Sequence, residues 1–239
     1  MLDVPGRSVR NAAAALDARF GTMAADDLLA VMTRDVFPGR IAMVSSFGAD
    51  SVALLHLVSR VAPDIPVLFI ETGMHFAETI AYRNATARAL GLTNVIDVRA
   101  GKKVLLEEDP DDNLHMFDPD ACCAVRKVEP LNRALKEYDA WITGRRRDQS
   151  FTREAIPHVE ADGSRVKINP LAGWTQADVD DYIERHALVR HPLVAQSYPS
   201  IGCAPCTSPV GPGEDPRSGR WRGTGKTECG LHFQNADFK

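Results

Sequence analysis

The chain has 239 residues, of which 44% are hydrophobic and 25% are charged, and its formal net charge is −4 at pH 7. This composition is typical of a soluble globular protein, and the acidic balance argues against a general nucleic-acid binder, which is usually basic. Residues 1–11 lack the apolar segment of a signal peptide, and no apolar run approaches the roughly 20 residues of a membrane span. We therefore expect a cytoplasmic protein that binds neither membranes nor nucleic acid.

Apolar runs alternate with helical patterns along most of the chain. Residues 12–32 predict one helix, which Pro38 and Gly39 separate from the first strand. Buried strands are predicted at residues 41–44, 66–70, 94–98 and 140–143, and further helices at residues 49–61, 76–90, 123–138 and 175–186. The last helix is predicted to begin with Thr175 as its N-cap, with Asp178 three residues later. This alternation predicts an α/β fold, in which helices cover both faces of a parallel sheet.

The C-terminal part of the chain has a different character. Residues 199–225 are rich in proline and glycine, which predicts irregular structure. We expect one α/β domain over residues 1–209 and a flexible, mobile tail over residues 210–239. The charged run 107–112 is expected to be a solvated loop, with a metal contact as the alternative. The segment 167–171 is expected to be a loop entering the last helix, and it is open between a structural turn and a role in the site.

The segment 46–51 follows a predicted strand and opens a predicted helix. Backbone amides at such a turn have no intrahelical partners, so they attract an anion, and Gly48 permits close approach of the backbone. The Gly-Lys-Ser/Thr signature of a Walker A loop is absent. The segment is predicted to bind a phosphate, with an ordinary strand–helix turn as the alternative. Its candidate binding residues are Ser46, Phe47, Gly48, Asp50 and Ser51.

Two further segments are predicted at the same edge of the sheet. Thr72 and Gly73 follow the second strand, and Arg146 lies in a run of three arginines after the fourth. Open parallel sheets bind ligands at the carboxyl ends of their strands. We expect all three residues to contact an anionic ligand, and a solvated basic loop is the alternative for the arginines.

Four of the five cysteines form two clusters, the adjacent pair Cys122 and Cys123 and the motif Cys203-x-x-Cys206. A single zinc needs four sulfurs at the corners of one tetrahedron, which adjacent cysteines supply only awkwardly. A 4Fe–4S cluster offers four irons, so neighbouring residues can bind different corners. The pattern favours a 4Fe–4S cluster; zinc, unliganded thiols and a redox disulfide at the second motif stay open.

The fifth cysteine, Cys229, stands ten residues from the end of the sequence in a polar stretch. Lys226 and His232 lie close in sequence and would favour its thiolate, which makes it a candidate nucleophile. The alternative is an incidental surface cysteine. Arg126 and Lys127 follow the cysteine pair on the same predicted helix, where they would bind either cluster sulfur or a substrate anion, or lie on a solvated helix face.

Nearly the whole chain resembles the assimilatory adenosine 5′-phosphosulfate reductases, the iron–sulfur branch of the phosphoadenylyl-sulfate reductase family. The matching segments are residues 46–51, 71–73, 122–127, 144–150, 198–206, 217–221 and 228–232. The cysteine pairs and the Glu-Cys-Gly-Leu-His segment at residues 228–232 are the most specific of these, whereas the phosphate loop also resembles that of the wider adenosine-nucleotide alpha hydrolases. Glu71 replaces the aspartate that is more usual before Thr-Gly.

The resemblance implies a mechanism and a set of binding residues. The Cys229 thiolate would attack the sulfur of adenosine 5′-phosphosulfate and release AMP, and thioredoxin would then release sulfite from the S-sulfocysteine. The residues that match family positions around the phosphosulfate are Lys127, Arg217, Arg220 and His232. The implied cofactor is a 4Fe–4S cluster with a structural and electrostatic role, and the implied process is sulfate assimilation for cysteine biosynthesis.

Three other functions stay open from the sequence. The first is the same reaction on 3′-phosphoadenylyl sulfate. The second is an ATP-dependent sulfur-transfer or adenylating enzyme of the same fold, and the third is a zinc-bound structural or interaction protein. The oligomeric state is open between a monomer and a homo-oligomer.

Overall fold

The computed structural model describes residues 7–231. Two helices precede the sheet, α1 (Arg7–Phe20) and α2 (Ala25–Val31), and a π-helical turn (Met32–Val36) extends the second. The prediction of one helix over residues 12–32 is therefore wrong. The first helix stops at Gly21, where an added β-carbon would lie 2.6 Å from the carbonyl oxygen of Asp17, so the chain turns at a residue without a side chain.

Six strands form one sheet. Their bounds are β1 (Ile41–Val44), β2 (Val67–Ile70), β3 (Val95–Val98), β4 (Ala140–Ile142), β5 (Val159–Asp162) and β6 (Arg165–Ile168). The spatial order is β3-β2-β1-β4-β6-β5, and every neighbouring pair is parallel except β5 and β6. The first four strands confirm the predicted ones to within a residue at each end, and the mainly parallel sheet confirms the predicted fold class.

The β5–β6 hairpin was not predicted. Its two-residue loop is Gly163 and Ser164, with Gly163 at φ +62, and a glycine at the first position of such a loop is a hairpin signal. The prediction of a loop over residues 167–171 is therefore wrong for Lys167 and Ile168, which pair with β4 and β5.

The remaining helices pack on both faces of the sheet. Their bounds are α3 (Ser51–Val61), α4 (Ala77–Ala89), α5 (Lys102–Glu108), α6 (Leu114–Phe117), α7 (Pro119–Cys123), α8 (Glu129–Ala134) and α9 (Gln176–Arg185). The predicted cap of α9 is confirmed, since Thr175 and Asp178 form a reciprocal capping box. No helix within residues 7–231 is both long and apolar enough to cross a membrane.

The predicted helix over residues 123–138 is composite. A π-helical turn (Ala124–Val128) joins α7 to α8, and a 3₁₀ turn (Leu135–Glu137) follows. Pro130 is tolerated because it stands at the second position of α8, where its missing N–H costs little.

Alternation along the strands divides the core between the two faces. Ile41 and Met43 of β1 face a core built with α1, α2, α3, α4 and α9, whereas Ala42 faces a smaller one with Leu131 of α8 and Trp141 of β4. Because β1, β2, β3, β4 and β6 run parallel, their carboxyl ends lie at one edge of the sheet. The irregular segment from 192 onward covers that edge, through isolated bridges such as His75 with Cys203.

Candidate active site

A cavity of about 250 Å³ opens at the carboxyl edge of the sheet, beneath the irregular C-terminal segment. Among the residues predicted to bind substrate or to react, those that line it are Ser46, Gly48, Asp50, Ser51, Thr72, Lys127, Arg146, Arg217, Arg220, Cys203 and Cys229. The structure thus brings most of the predicted residues to one place. His232 lies outside the described residues.

Serine hydroxyls stabilise the turn of the phosphate loop by accepting hydrogen bonds from its backbone amides. The amide of Phe47 donates to Ser45 Oγ at 3.2 Å, and the amide of Gly48 donates to Ser51 Oγ at 2.9 Å. Phe47 has φ 49 and a wholly buried side chain, which meets the Phe69 ring edge to face at 5.8 Å between centroids. Only the backbone of Phe47 therefore belongs to the loop, while its side chain is part of the core.

Arg146 ties this loop to the end of β4. Its guanidinium is buried and donates to Asp50 at 3.0 Å, to Asp148 at 3.0 Å and to Gln176 at 2.7 Å. Asp50, at the N-terminus of α3, thus has a cationic partner, and the two side chains form a fixed part of the cavity wall. The neighbouring Arg145 turns away towards Glu160 and Asn169, and burial lowers its pKa to about 10.

Thr72 joins the end of β2 to the cysteine motif. Its hydroxyl lies 3.3 Å from Cys203 Sγ, and its carbonyl oxygen accepts from Arg126 at 2.9 Å. Gly73 has φ +76 and its amide donates to Glu71 Oε1 at 2.8 Å. Gly73 is exposed and does not line the cavity, so it shapes the turn that positions Thr72.

Arg126 forms a buried ion pair rather than a solvated face. It donates to both the fully buried carboxylate of Asp109, at 2.6 and 2.9 Å, and the exposed Asp112. Burial alone would raise the pKa of Asp109, but the amide of Leu114 and the Arg126 guanidinium bring it below its ordinary value. The prediction of a solvated loop at residues 107–112 is therefore wrong for Asp109, which is buried, and also for Glu107 and Glu108, which end α5.

The four clustered cysteines come together from two separate segments. Cys122 and Cys123 end α7, and Cys203 and Cys206 flank the 3₁₀ turn (Ala204–Cys206). All four are free thiols, and the first three are buried. Burial, together with the charges of Cys123 and Cys203, raises the pKa of Cys122 to about 12.

The chemistry of this donor set suits a cationic cluster. Burial raises the pKa of Cys123 and of Cys206 as well, so thiolates here need positive charge to form. No group of three or more His, Cys, Asp or Glu within the described residues is placed to hold a single metal ion. A polynuclear cluster does not require four sulfurs to converge on one ion, because each thiolate binds its own iron. In number and type of ligand, the four thiols match the donors that a four-iron cluster needs.

Lys127 stands between the cysteine motifs and the cavity. It is buried and lines the cavity, although it follows the cysteine pair by only four residues. Burial would lower the pKa of Lys127, but the negative charges of Cys203, Cys123 and Cys229 together raise it above its ordinary value. The ammonium group thus belongs to the wall of the cavity that Cys203 and Cys229 also line.

The segment after residue 206 folds back over the site. The backbone amide of Trp221 donates to the carbonyl oxygen of Cys206 at 3.0 Å, and Arg220 stacks on the Trp221 ring at 4.5 Å. A β-carbon at Gly202 would lie 2.1 Å from the Arg220 guanidinium, so the arginine rests directly on that backbone. Lys226, predicted to support Cys229, instead contacts the Pro119 carbonyl and Asp120.

Cys229 is partly buried and lines the cavity, and the residue before it is anchored. The carboxylate of Glu228 accepts from Arg153 at 2.8 and 2.9 Å and lies 3.2 Å from Arg217. Burial lowers the pKa of Arg217, while Glu228 opposes that shift.

Two residues of this network, Arg153 and Glu228, were not singled out from the sequence. They are 75 positions apart, so neither periodicity nor a local motif links them. A partial signal was present, because a carboxylate directly before a candidate nucleophile calls for a cationic partner. Trp221 was also missed as a cavity residue; its φ of 48 is unusual for a bulky residue.

Comparison with known proteins gives these features a context. Residues 40–209 match the family model of the phosphoadenosine phosphosulfate reductase domain. The chain is 50% identical over 225 residues to an adenosine 5′-phosphosulfate reductase from Mesorhizobium japonicum, covering 94% of this chain and 89% of that one. It is 44% identical over 218 residues to a phosphoadenosine 5′-phosphosulfate reductase from Gloeobacter violaceus, covering 88% and 89%.

A solved structure agrees with these sequence relatives. The phosphate complex of phosphoadenylyl-sulfate reductase from Candida auris superposes with a TM-score of 0.68 at 25% identity, covering 84% of this chain and 97% of that one. The family match covers the parallel strands, the phosphate loop and both clustered cysteine motifs. The chain therefore belongs to the phosphoadenosine phosphosulfate reductase family.

Proposed function

We propose that this enzyme reduces adenosine 5′-phosphosulfate to sulfite and AMP in sulfate assimilation, with Cys229 as the nucleophile. The observation that carries the proposal is that Cys229 lines the same cavity as the phosphate loop and a group of cations. Several relatives, including the one from Mesorhizobium japonicum, are adenosine 5′-phosphosulfate reductases, which supports the choice of substrate class.

The charge of the cavity suits an anionic nucleotide. The basic residues that line it are Lys127, Arg146, Arg153, Arg217 and Arg220, together with Arg145, whose guanidinium pairs with Glu160; its acidic residues are Asp50 and Glu228. Both carboxylates already have arginine partners. A surplus of positive charge therefore remains for the phosphate and sulfate groups, although the chain as a whole carries −4.

In the first step the Cys229 thiolate attacks the sulfur of the substrate. The new bond joins Sγ to the sulfonate group, and the bond between sulfur and the bridging phosphate oxygen breaks, so AMP leaves with that electron pair. Lys127 and Arg217 line the same cavity as Cys229, which makes them the candidates to stabilise the anionic leaving group.

In the second step a dithiol reductant of the thioredoxin class regenerates the enzyme. One of its thiolates attacks Sγ of Cys229, sulfite leaves with the electron pair of the S–S bond, and the second thiol resolves the mixed disulfide. Sulfur gains two electrons overall, and the dithiol becomes a disulfide. Because Cys229 is partly buried, we propose that residues 210–239 move as a tail, apart from the domain of residues 1–209, when the reductant binds.

The four clustered thiols of Cys122, Cys123, Cys203 and Cys206 would hold a 4Fe–4S cluster. When bound, the cluster supplies positive iron charge and a fixed framework between the two cysteine segments. The chemistry needs a reducing compartment with free thiols, which supports the cytoplasm as the location. Nothing in this scheme requires a second copy of the chain.

The test is to incubate the iron-loaded enzyme, purified without oxygen, with each nucleotide and a thioredoxin, and to measure sulfite. We expect the higher kcat/KM with adenosine 5′-phosphosulfate. A higher value with the 3′-phosphorylated nucleotide would overturn the choice of substrate and favour the activity that names the Gloeobacter relative. Pyrophosphate release from ATP, without sulfite, would instead reassign the chain to an adenylating reaction.

A further inference from the structure

Glu228 is a buried carboxylate immediately before the proposed nucleophile. Only 7% of it is exposed, and each of its oxygens accepts a separate N–H of Arg153, at 2.9 and 2.8 Å. This side-on, two-bond arrangement is the strongest geometry available to an arginine and a carboxylate, and it also fixes direction. The ion pair therefore restrains the position of the Glu228 backbone, and with it the position of the adjoining Cys229.

Both cationic partners of Glu228 are themselves held in place. Arg153 is buried at the end of a 3₁₀ turn (Phe151–Arg153) and also donates to Gln149. Arg217 lies 3.2 Å from Glu228 and donates to the carbonyl oxygen of Thr227 at 2.9 Å. Thr227 and Glu228 directly precede Cys229. They are thus bound to Arg153, which follows β4, and to Arg217 of the C-terminal segment.

We propose that Glu228 and Arg153 are positioning residues, whose buried ion pair holds Cys229 in the cavity for attack and opens when the reductant needs that sulfur. The inference rests on the proposed function only for the chemical identity of the two steps, attack by Cys229 and release of sulfite. The position of Cys229 in the cavity is independent of that function. Nothing in the pair touches the reacting sulfur, so its effect on the reaction passes through the location of Cys229.

The Glu228–Arg153 pair can act as an anchor because it is buried. Removing one member of a buried ion pair leaves the other charge without compensation, whereas an exposed pair contributes little to stability. The same segment contains an exposed pair of similar geometry, Glu214 with Arg222 at 2.8 and 3.2 Å, whose side chains are 40% and 46% exposed. Glu214 and Arg222 do not line the cavity, so they provide a matched control.

The first measurement is the rate at which iodoacetamide alkylates Cys229 in the full-length, iron-loaded protein without substrate, followed by mass spectrometry of the peptide. We expect Glu228→Gln and Arg153→Gln each to raise this rate by about tenfold or more, because either change breaks the buried pair. Glu214→Gln should change it by less than about threefold, as expected for an exposed pair.

The two substitutions separate release of the tail from a change in local charge. Glu228→Gln removes a negative charge and favours the Cys229 thiolate, whereas Arg153→Gln removes a positive charge and disfavours it. A rise in both variants therefore reports release. Opposite changes, or rates equal to that of Glu214→Gln, would overturn the proposal, and melting curves of each variant confirm that the compared proteins are folded.

The second measurement compares the two half-reactions in a single turnover. We expect Glu228→Gln to slow formation of the Cys229 adduct by about tenfold, while thioredoxin removes the sulfonate from a preformed adduct at an undiminished rate. Equal losses in both half-reactions would indicate a merely structural role and overturn the assignment. If the unsubstituted enzyme forms no adduct at all, the proposed function fails, and the alkylation rates still decide the anchor.

Discussion

The cysteines of this chain occupy two contrasting environments. The four clustered thiols lie on helix α7 and on a short 3₁₀ turn, and burial raises the pKa of three of them. Cys229 lies partly exposed in an irregular segment, which buried ion pairs hold against the cavity. A cysteine side chain is thus suited to metal ligation where it is buried, as in the enclosed group of four clustered cysteines. It is suited to attack and release where it is partly exposed beside an anchored residue, as Cys229 is beside Glu228.

The largest expected effect separates the two groups completely. Cys229→Ser should lower sulfite formation by on the order of 10³-fold or more, as seen when other enzymes lose a nucleophile. Iron content and AMP binding should stay unchanged, because Cys229 is not among the proposed ligands. Iron analysis and a sulfite assay on the same preparation check this. Residual turnover near the unsubstituted rate would place the nucleophile elsewhere.

Cys203→Ser tests the enclosed group. The variant should lose most of its iron and its activity together, since serine is a poor replacement for a thiolate ligand and the nearby Thr72 hydroxyl cannot substitute for it. Iron is measured after purification without oxygen, together with visible absorbance. A variant that retains a full complement of iron would contradict this ligand set.

Asp109→Asn tests, through the pH dependence of stability, whether the buried Asp109–Arg126 ion pair stabilises the region of the four clustered cysteines. The folded-state pKa of Asp109 is depressed, so its stabilising contribution is present above the ordinary value of 3.8 and is lost as the pH falls through the folded value. The variant should unfold about 3 kcal/mol more easily at pH 7, because Arg126 loses a buried partner.

Urea denaturation at several pH values checks this prediction. The difference between Asp109→Asn and the unsubstituted protein should begin to shrink as the pH falls below 3.8, where the unfolded state takes up a proton, and should be smallest below the folded-state pKa, where both proteins carry an uncharged group at position 109. A difference that is constant from about pH 7 to about pH 3 would mean that the carboxylate charge does not stabilise this region.

Lys127→Met tests the residue that lines the cavity together with Cys203 and Cys229. We expect kcat/KM to fall by about 10²-fold, the usual loss when one group that stabilises developing negative charge is removed. Iron content should be unchanged, because lysine is not a ligand. Lys103→Met is the control, since Lys103 lies on α5 with its side chain 87% exposed. Loss of iron in Lys127→Met would assign Lys127 to the enclosed group instead.

The predictable parts of the molecule were those encoded by local pattern. The apolar runs indicated β1, β2, β3 and β4, and the Thr175–Asp178 cap indicated the start of α9. The motif positions also identified most of the cavity wall. Each of these signals lies within a few neighbouring residues, which is why sequence alone carries it.

The features that were missed depend on residues far apart in the chain. Arg153 meets Glu228 across 75 positions, and Arg126 meets Asp109 across 17. Such pairs have no periodicity, and their charges are indistinguishable in sequence from those of solvated residues. Phe47 was predicted as a binding residue because it belongs to the loop, and local pattern alone does not show that the left-handed backbone there turns its side chain into the core.

The close approach of Arg220 to Gly202 has a consequence for how this sequence can vary. A side chain at position 202 would require the guanidinium to leave its place above the backbone, since only 2.1 Å separates it from an added β-carbon. The two positions are therefore not independent, although they are far apart in the chain. Among natural variants, we expect any residue larger than glycine at 202 to accompany a shorter residue at 220, so that substitutions at the two positions covary.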